Sequence, residues 1–512
     1  MKVPPVQSRA LEAVRTVPGH LVLFAAGVLV LLLFTVASPL LQFVQNHGYL
    51  FYENGFDETA YLQYDFSLAA QSPTRPGQYL VTLAHQLGLS GGYINAVADV
   101  VMFVGFPLIV RSLLRRVGWS ASQASWGALL MLVVPQFVLL GNPIVQRLHL
   151  WTLGTGMIQW LTLPINAASP LARTPEPQFS LMLLGAAMLL GLRWRRFWPV
   201  YGVLPFMYPF VAIPAGFVAL ACHLHTRWPA ARFATVGPLV LAFLAIATAC
   251  WGYYTFLVKG SIRLAMLASH LPLISFTSVV ALGVYGLLHR WIAPEHRFFA
   301  LAVALGALVG TNQQVLSGHI PQPYSFEYYF GSVAVALLVT IALRHQRLGL
   351  KLALLLVGGL LFFNASFAYF QLYRGYVTRL PMTNELAMAL QQDSSHVVVN
   401  DSHLASLLGM VHPRQASTAL AFERSYPAVA DRYVAEYRCV KQQIQRDYPE
   451  AFKAVLARMD ENYTTGGQAF IFATLNRRTT FTPLRDMTAP GCKDPGERPL
   501  RYVFVNGTRP TR

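Results

Sequence analysis

LVLFAAGVLVLLLFTVASPLLQF, residues Leu21–Phe43, decides the fold. It carries no charged side chain and exceeds the ~20 apolar residues that an α-helix needs to cross a bilayer. Lys2, Arg9 and Arg15 precede it, as basic residues precede a secretory signal. The run is too long for a signal h-region, however, and no clear small-residue cleavage site follows, so the sequence predicts an uncleaved first span. The rest of the chain has the same character, with 54% hydrophobic and 12% charged residues. A soluble enzyme would carry ~25% charged residues, which excludes that class.

Further apolar runs of near-spanning length lie at about 94–114, 121–141, 178–192, 233–257, 272–289, 297–312, 327–343 and 349–372. The stretch 197–225 is different, because Arg193, Arg195 and Arg196 precede it and Arg227 and Arg232 follow it. Both its ends then belong on the cytoplasmic side, which predicts a hairpin of two short helices broken around Pro205, Pro209 and Pro214. The fold expected is an all-α polytopic membrane domain, residues 1–372, with about eleven transmembrane helices.

The 39 Lys and Arg against 22 Asp and Glu give a net charge of +17. In a polytopic chain this excess collects on cytoplasmic helix ends, so membrane lipids rather than nucleic acid are the expected partner of the charge. The clusters Arg111/Arg115/Arg116, Arg193/Arg195/Arg196, Arg227/Arg232, His289/Arg290/Arg297 and Arg344/Arg347/Lys351 all fall on the side of the N-terminus. That predicts a cytoplasmic N-terminus and, after an odd number of spans, an extracytoplasmic C-terminal region.

Three outer loops are longer or more polar than a connection requires. The first, about 44–93, contains an amphipathic segment from Gln78 to Leu89 suited to lie in the interface plane. The second, about 142–177, contains Arg147 and His149, and the third, about 313–326, contains Gln313, Gln314, His319 and Gln322. From residue 373 to 512 the composition turns soluble. The run Val397–Val399 reads as a buried strand, Ala428 to Met459 as amphipathic helix, and the whole as a small extracytoplasmic α/β domain. Cys439 and Cys492 lie in this region, where an oxidising compartment would allow one disulfide.

The first outer loop also holds the densest acid in the chain, in Tyr52-Glu53-Asn54-Gly55-Phe56-Asp57-Glu58-Thr59-Ala60-Tyr61. Carboxylates at a membrane boundary are costly, and they usually pair, bind a cation or do chemistry. The stretch Gly55–Tyr61, after the first span of a many-helix chain with a C-terminal soluble domain, resembles the acidic first-loop motif of the GT-C superfamily of integral membrane glycosyltransferases. The resemblance implies transfer of a sugar from a polyprenyl-phosphate donor to a glycan, lipid or protein acceptor on the outer face, with inversion. It implies Asp57 as general base and Glu58 in support, and it fits a bacterial inner membrane. The residues leave Glu58 and Asp65 open as alternative bases, and they leave open a solvated acid pair that only enforces topology.

Transfer also needs a partner for the leaving phosphate. Lys259 and Arg263 stand at the outer end of a span, against the prevailing charge rule, and suit an anion, although snorkelling to headgroups explains them equally. Arg147 is a further phosphate candidate. His319, Gln314 and Tyr61 are candidates for binding sugar or acceptor. No metal-ligand spacing and no nucleotide-binding glycine loop is present, so no obligatory cofactor is expected and a divalent cation is the one addition the acid pair admits. Two other classes compete: a lipid or polysaccharide transporter or flippase, and a non-catalytic cell-envelope assembly protein.

Overall fold

The computed structural model describes residues 18–45, 76–147, 159–161, 171, 176–194, 196–227, 266–268, 273–317, 319–321 and 323–377, and, further on, 396–399, 417–419, 446, 480–481, 485–493, 499–504 and 507–508. The described helices are α1 (Gly19–Gln45), α2 (Pro76–Gln86), α3 (Gly91–Arg116), α4 (Ala121–Arg147), α5 (Gln178–Trp194), α6 (Trp198–Val203), α7 (Pro209–Arg227), α8 (Phe276–Leu288), α9 (Pro294–Thr311), α10 (Ser332–Ala342) and α11 (Leu348–Val377). Among the described residues four stretches are long and apolar enough to cross a membrane: Gly91–Arg116, Ala121–Val138, Pro209–Thr226 and Glu327–His345. The chain is a membrane protein of helical type. The expected span 233–257 lies outside the described residues.

α4 forms the middle of the bundle, with α1, α3, α10 and α11 packed around it. Its run Ala124–Val134 is buried almost throughout, so it reads as an uninterrupted apolar sequence instead of an amphipathic one. α3 and α5 run parallel: Asp99 meets Gln178, Gly105 meets Met182 and Ile109 meets Gly185. α7 and α9 run antiparallel, Pro214 facing Gly310 and Val218 facing Gly306.

The directions of these helices bring the basic clusters to one end. There Arg344 donates to the carbonyl of Gly118 at 2.9 Å and to His296 Nε2 at 3.3 Å, and its guanidinium lies 5.4 Å from the centre of the Trp119 ring. Gly118 adopts φ +85°, a left-handed conformation that closes α3 and aims its carbonyl outward. The Lys351 ammonium donates to the Arg344 carbonyl at 3.1 Å. Burial holds His296 below the ordinary histidine range against the opposing pull of Glu295, and Arg344 lowers it a little further.

The stretch 197–225 is a hairpin, but not of two short helices. Its ends adjoin, since His223 stacks on Phe197 at 4.8 Å and lies 3.3 Å from the Tyr201 hydroxyl. The first arm is the six-residue α6 followed by one 3-10 turn, Leu204–Phe206. The second arm, α7, is a continuous 19-residue helix with Pro214 inside it. The break therefore falls at Leu204–Tyr208, and Pro214 is tolerated where the Gly306 and Gly310 face of α9 leaves it room.

The expected outer loops contribute short paired strands. β1 (Gln159–Leu161) pairs in parallel with β3 (Leu273–Ser275), and β2 (Met266–Ala268) pairs antiparallel with β4 (His319–Pro321). The apolar run expected at 272–289 accordingly opens as strand β3 and turns helical only at Phe276, where Ser275 accepts the Ser278 N–H at 3.1 Å as an N-cap. The Gln78–Leu89 segment corresponds to α2 and the turn after it; α2 buries Val81 and His85 and exposes Leu80 and Leu83, and Leu87 is exposed just past its end.

In the C-terminal region four strands pair in the order β6 (Ser417–Ala419), β5 (His396–Val399), β9 (Pro499–Phe504), β8 (Arg485–Lys493). β5 is parallel to both its neighbours, while β8 and β9 are antiparallel. A two-residue ribbon joins β7 (Thr480–Phe481) to β10 (Gly507–Thr508). The helix expected at 428–459 lies outside the described residues except for Arg446, which is helical, and Cys439 lies outside them as well.

Candidate functional site

Two helices start at the end of the bundle opposite the Arg344 cluster, and each meets a buried glutamate there. The N-terminus of a helix exposes N–H groups without intrahelical partners and carries partial positive charge, so a carboxylate is its natural complement. For α5 the carboxylate is local in sequence. Glu176 accepts the Ser180 hydroxyl at 2.6 Å and the Ser180 N–H at 3.3 Å, and the same hydroxyl accepts the Tyr208 N–H at 2.7 Å. Beside it the Gln178 amide donates to the Asp99 carboxylate and, at 3.0 Å, to the Leu171 carbonyl. Asp99 is fully buried inside a candidate membrane span, with Asn95, also fully buried, one turn before it.

For α8 the carboxylate comes from afar. Glu327 opens a π-helical turn, Glu327–Gly331, that runs into α10, and its carboxyl faces the Phe276 and Thr277 N–H groups and the Ser275 hydroxyl. It is 0% exposed, and neither of its oxygens reaches hydrogen-bond geometry with a partner. The wider spacing of the π turn rotates all five of its residues into the interior, and such turns recur at functional sites. The packing here is close, because a Cβ placed on Gly331 would lie 2.7 Å from Thr277 Cβ.

A ladder of hydroxyls continues from Glu327 between α8 and α9. Ser275 Oγ lies 2.5 Å from Ser278 Oγ, which lies 3.2 Å from Thr311 Oγ1. The Asn312 amide follows, 3.3 Å from Thr311 Oγ1 and only half-buried. Aromatic rings join the two glutamate sites: Tyr208 lies 5.5 Å from Tyr329, and Phe210 packs on Phe326 and Tyr329.

Asp57, Glu58, Tyr61, Asp65, Lys259 and Arg263 lie outside the described residues. Arg147 is the last residue of α4, Gln314 opens the helical turn Gln314–Ser317, and His319 opens β4. The pairing of Ala268 with His319 sets β2 beside the stretch expected as the third outer loop. Sequence reading passed over Glu327 and Glu176. Glu176 carried a readable signal, an acid four residues before Ser180 at the head of an apolar run. Glu327 carried one too, a lone acid opening the run 328–343, in a chain with few acids.

Among the described residues no group of three or more His, Cys, Asp or Glu is placed to hold a metal ion. Comparison with protein-family models finds no match, and comparison with curated proteins finds none.

Proposed function

We propose that the chain is a membrane glycosyltransferase of the GT-C type, taking a sugar from a polyprenyl-phosphate donor and passing it to a glycan, lipid or protein acceptor on the extracytoplasmic face. Asp57 acts as general base with Glu58 beside it, while Lys259, Arg263 and Arg147 receive the phosphate and His319, Gln314 and Tyr61 meet sugar or acceptor. The full chain crosses the membrane about eleven times in this reading, and residues 373–512 form an extracytoplasmic α/β domain that assists acceptor binding.

One observation carries the reading. The end of the described bundle away from the basic clusters collects two buried glutamates, a buried aspartate, a hydroxyl ladder and two strand ribbons. α1 ends and α2 begins on that side, and Asp57 and Glu58 fall between them in sequence. A sugar transferase needs such an end, since it must seat a polar headgroup while the isoprenoid stays in lipid.

The test is transfer from a panel of radiolabelled polyprenyl-phosphate sugars by purified protein in lipid, wild type beside Asp57→Asn. Transfer that collapses in the variant supports both the class and the base. Transfer equal in both moves the base to Glu58 or Asp65, and no transfer with any donor overturns the reading.

A second reading, a lipid or polysaccharide carrier, has its own observation. Asp99 and Glu327 are ionisable groups buried in candidate spans, and the hairpin is broken at Leu204–Tyr208. Such features mark transport sites in membrane bundles. Substrate flux into sealed vesicles without chemical change would favour it.

A further inference from the structure

We propose that Glu327 is a reversible proton-binding site, reached from the polar end of the bundle along the hydroxyls of Thr311, Ser278 and Ser275. The inference does not depend on sugar transfer.

Three observations converge on it. First, Glu327 is fully buried at the head of a candidate span, and the groups its carboxyl faces, the Phe276 and Thr277 N–H groups and the Ser275 hydroxyl, stand outside hydrogen-bond geometry in the structure. A carboxylate so placed, with no cation paired to it, is costly in a low-dielectric interior, and an acquired proton removes the charge. Second, no charged group among the described residues acts on it. The elements packed against its turn present Ser275 from the end of β3, Thr277 and Ser278 from α8, Thr311 from α9, Ser325 from the helical turn Pro323–Phe326 and the Tyr208 ring ahead of α7. Third, the hydroxyls are close enough to pass a proton: 2.5 Å from Ser275 to Ser278 and 3.2 Å from Ser278 to Thr311. The ladder ends at half-buried Asn312, where solvent is reached.

The step balances without a co-reactant. Water admitted beside Asn312 gives a proton to Thr311 Oγ1, each hydroxyl accepts one proton on its oxygen and releases its own to the next, and Ser275, whose hydroxyl faces the carboxyl, delivers the last to Glu327 to leave a neutral carboxylic acid. A hydroxyl both donates and accepts and its hydrogen rotates freely, which is what such a relay requires. The two N–H groups of Phe276 and Thr277 stabilise the charged form in turn, so that release is possible as well as uptake.

Infrared difference spectroscopy on the full chain in lipid vesicles tests this. A carboxylic-acid carbonyl band should be present, should move on labelling with carbon-13 glutamate but not aspartate, should titrate with pH, and should be lost in Glu327→Gln. Ser278→Ala should keep the band but slow its deuterium exchange about tenfold, the effect on a barrier of one lost hydrogen bond of about 1.4 kcal/mol. Ser278→Thr, which retains a hydroxyl, should restore the rate. If Glu327→Gln does not fold, the labelling and the Ser278 variants still decide. No glutamate band, or a band unchanged by pH, would overturn the proton site, and equal exchange in wild type and Ser278→Ala would overturn the path.

Discussion

The Tyr208 N–H donates to the Ser180 hydroxyl at 2.7 Å, so the break of the α6–α7 hairpin is tied to the first turn of α5. The same hydroxyl donates to Glu176, which makes one oxygen the joint of three backbone segments. Ser180→Ala leaves both a buried N–H and a buried carboxylate oxygen short of a partner. The expected loss is about 1–3 kcal/mol, read as a lower thermal midpoint in lipid. A midpoint equal to wild type would mean that the hairpin break is held elsewhere.

Gly331→Ala is expected to destabilise although alanine favours helices. The added Cβ would sit against Thr277 Oγ1 and 2.7 Å from Thr277 Cβ, where the π turn ahead of α10 packs on α8. Separating them costs about 1–3 kcal/mol. Thr277→Ala, which removes the hydroxyl nearest to the added Cβ, should recover part of the loss in the double variant, and thermal unfolding of all three proteins measures the recovery.

Acidification should loosen the Arg344 cluster. Burial and Arg344 hold His296 below the ordinary histidine value, so between its folded pKa and about 6.5 the unfolded chain binds more protons than the folded one. Stability therefore rises with pH through that window and is level above it. A His296→Asn variant should give a flatter dependence of the thermal midpoint on pH over the same range, and an unchanged slope would place the titrating group elsewhere.

On the transferase reading, Lys259→Gln and Arg263→Gln should weaken donor binding while leaving the acceptor side intact. A charge-assisted hydrogen bond contributes about 1.5–3 kcal/mol, which corresponds to a rise of roughly tenfold or more in donor KM for each variant. Donor and acceptor saturation curves, measured separately, distinguish this from a general loss of fold.

Most of the described helices were legible from apolar run length, because a span must be continuous in sequence whatever surrounds it. The run at 94–114 is part of α3, and that at 349–372 part of α11. Two details were less accessible. The start of α8 depends on the Ser275 cap and on the pairing of β3 with a strand more than a hundred residues earlier, which local hydropathy cannot report. The site was harder still. Glu327 gains its significance from facing the N-terminus of α8, a helix that begins fifty residues before it, and Asp99 from meeting Gln178. A search for acid pairs adjacent in sequence finds Asp57-Glu58, but it cannot find carboxyls that matter through the helix end they meet in space.

The unequal arms of the hairpin bear on how the chain enters the membrane. α6 has six residues, and the turn after it breaks at Leu204–Phe206. Such a segment leaves too many backbone groups unsatisfied to rest in lipid by itself. A nascent chain that has emerged only as far as Phe206 therefore has no stable position in the bilayer. The two arms have to be handed over together, after α7 has been made, with the finished surface of α5 waiting to receive the Tyr208 N–H.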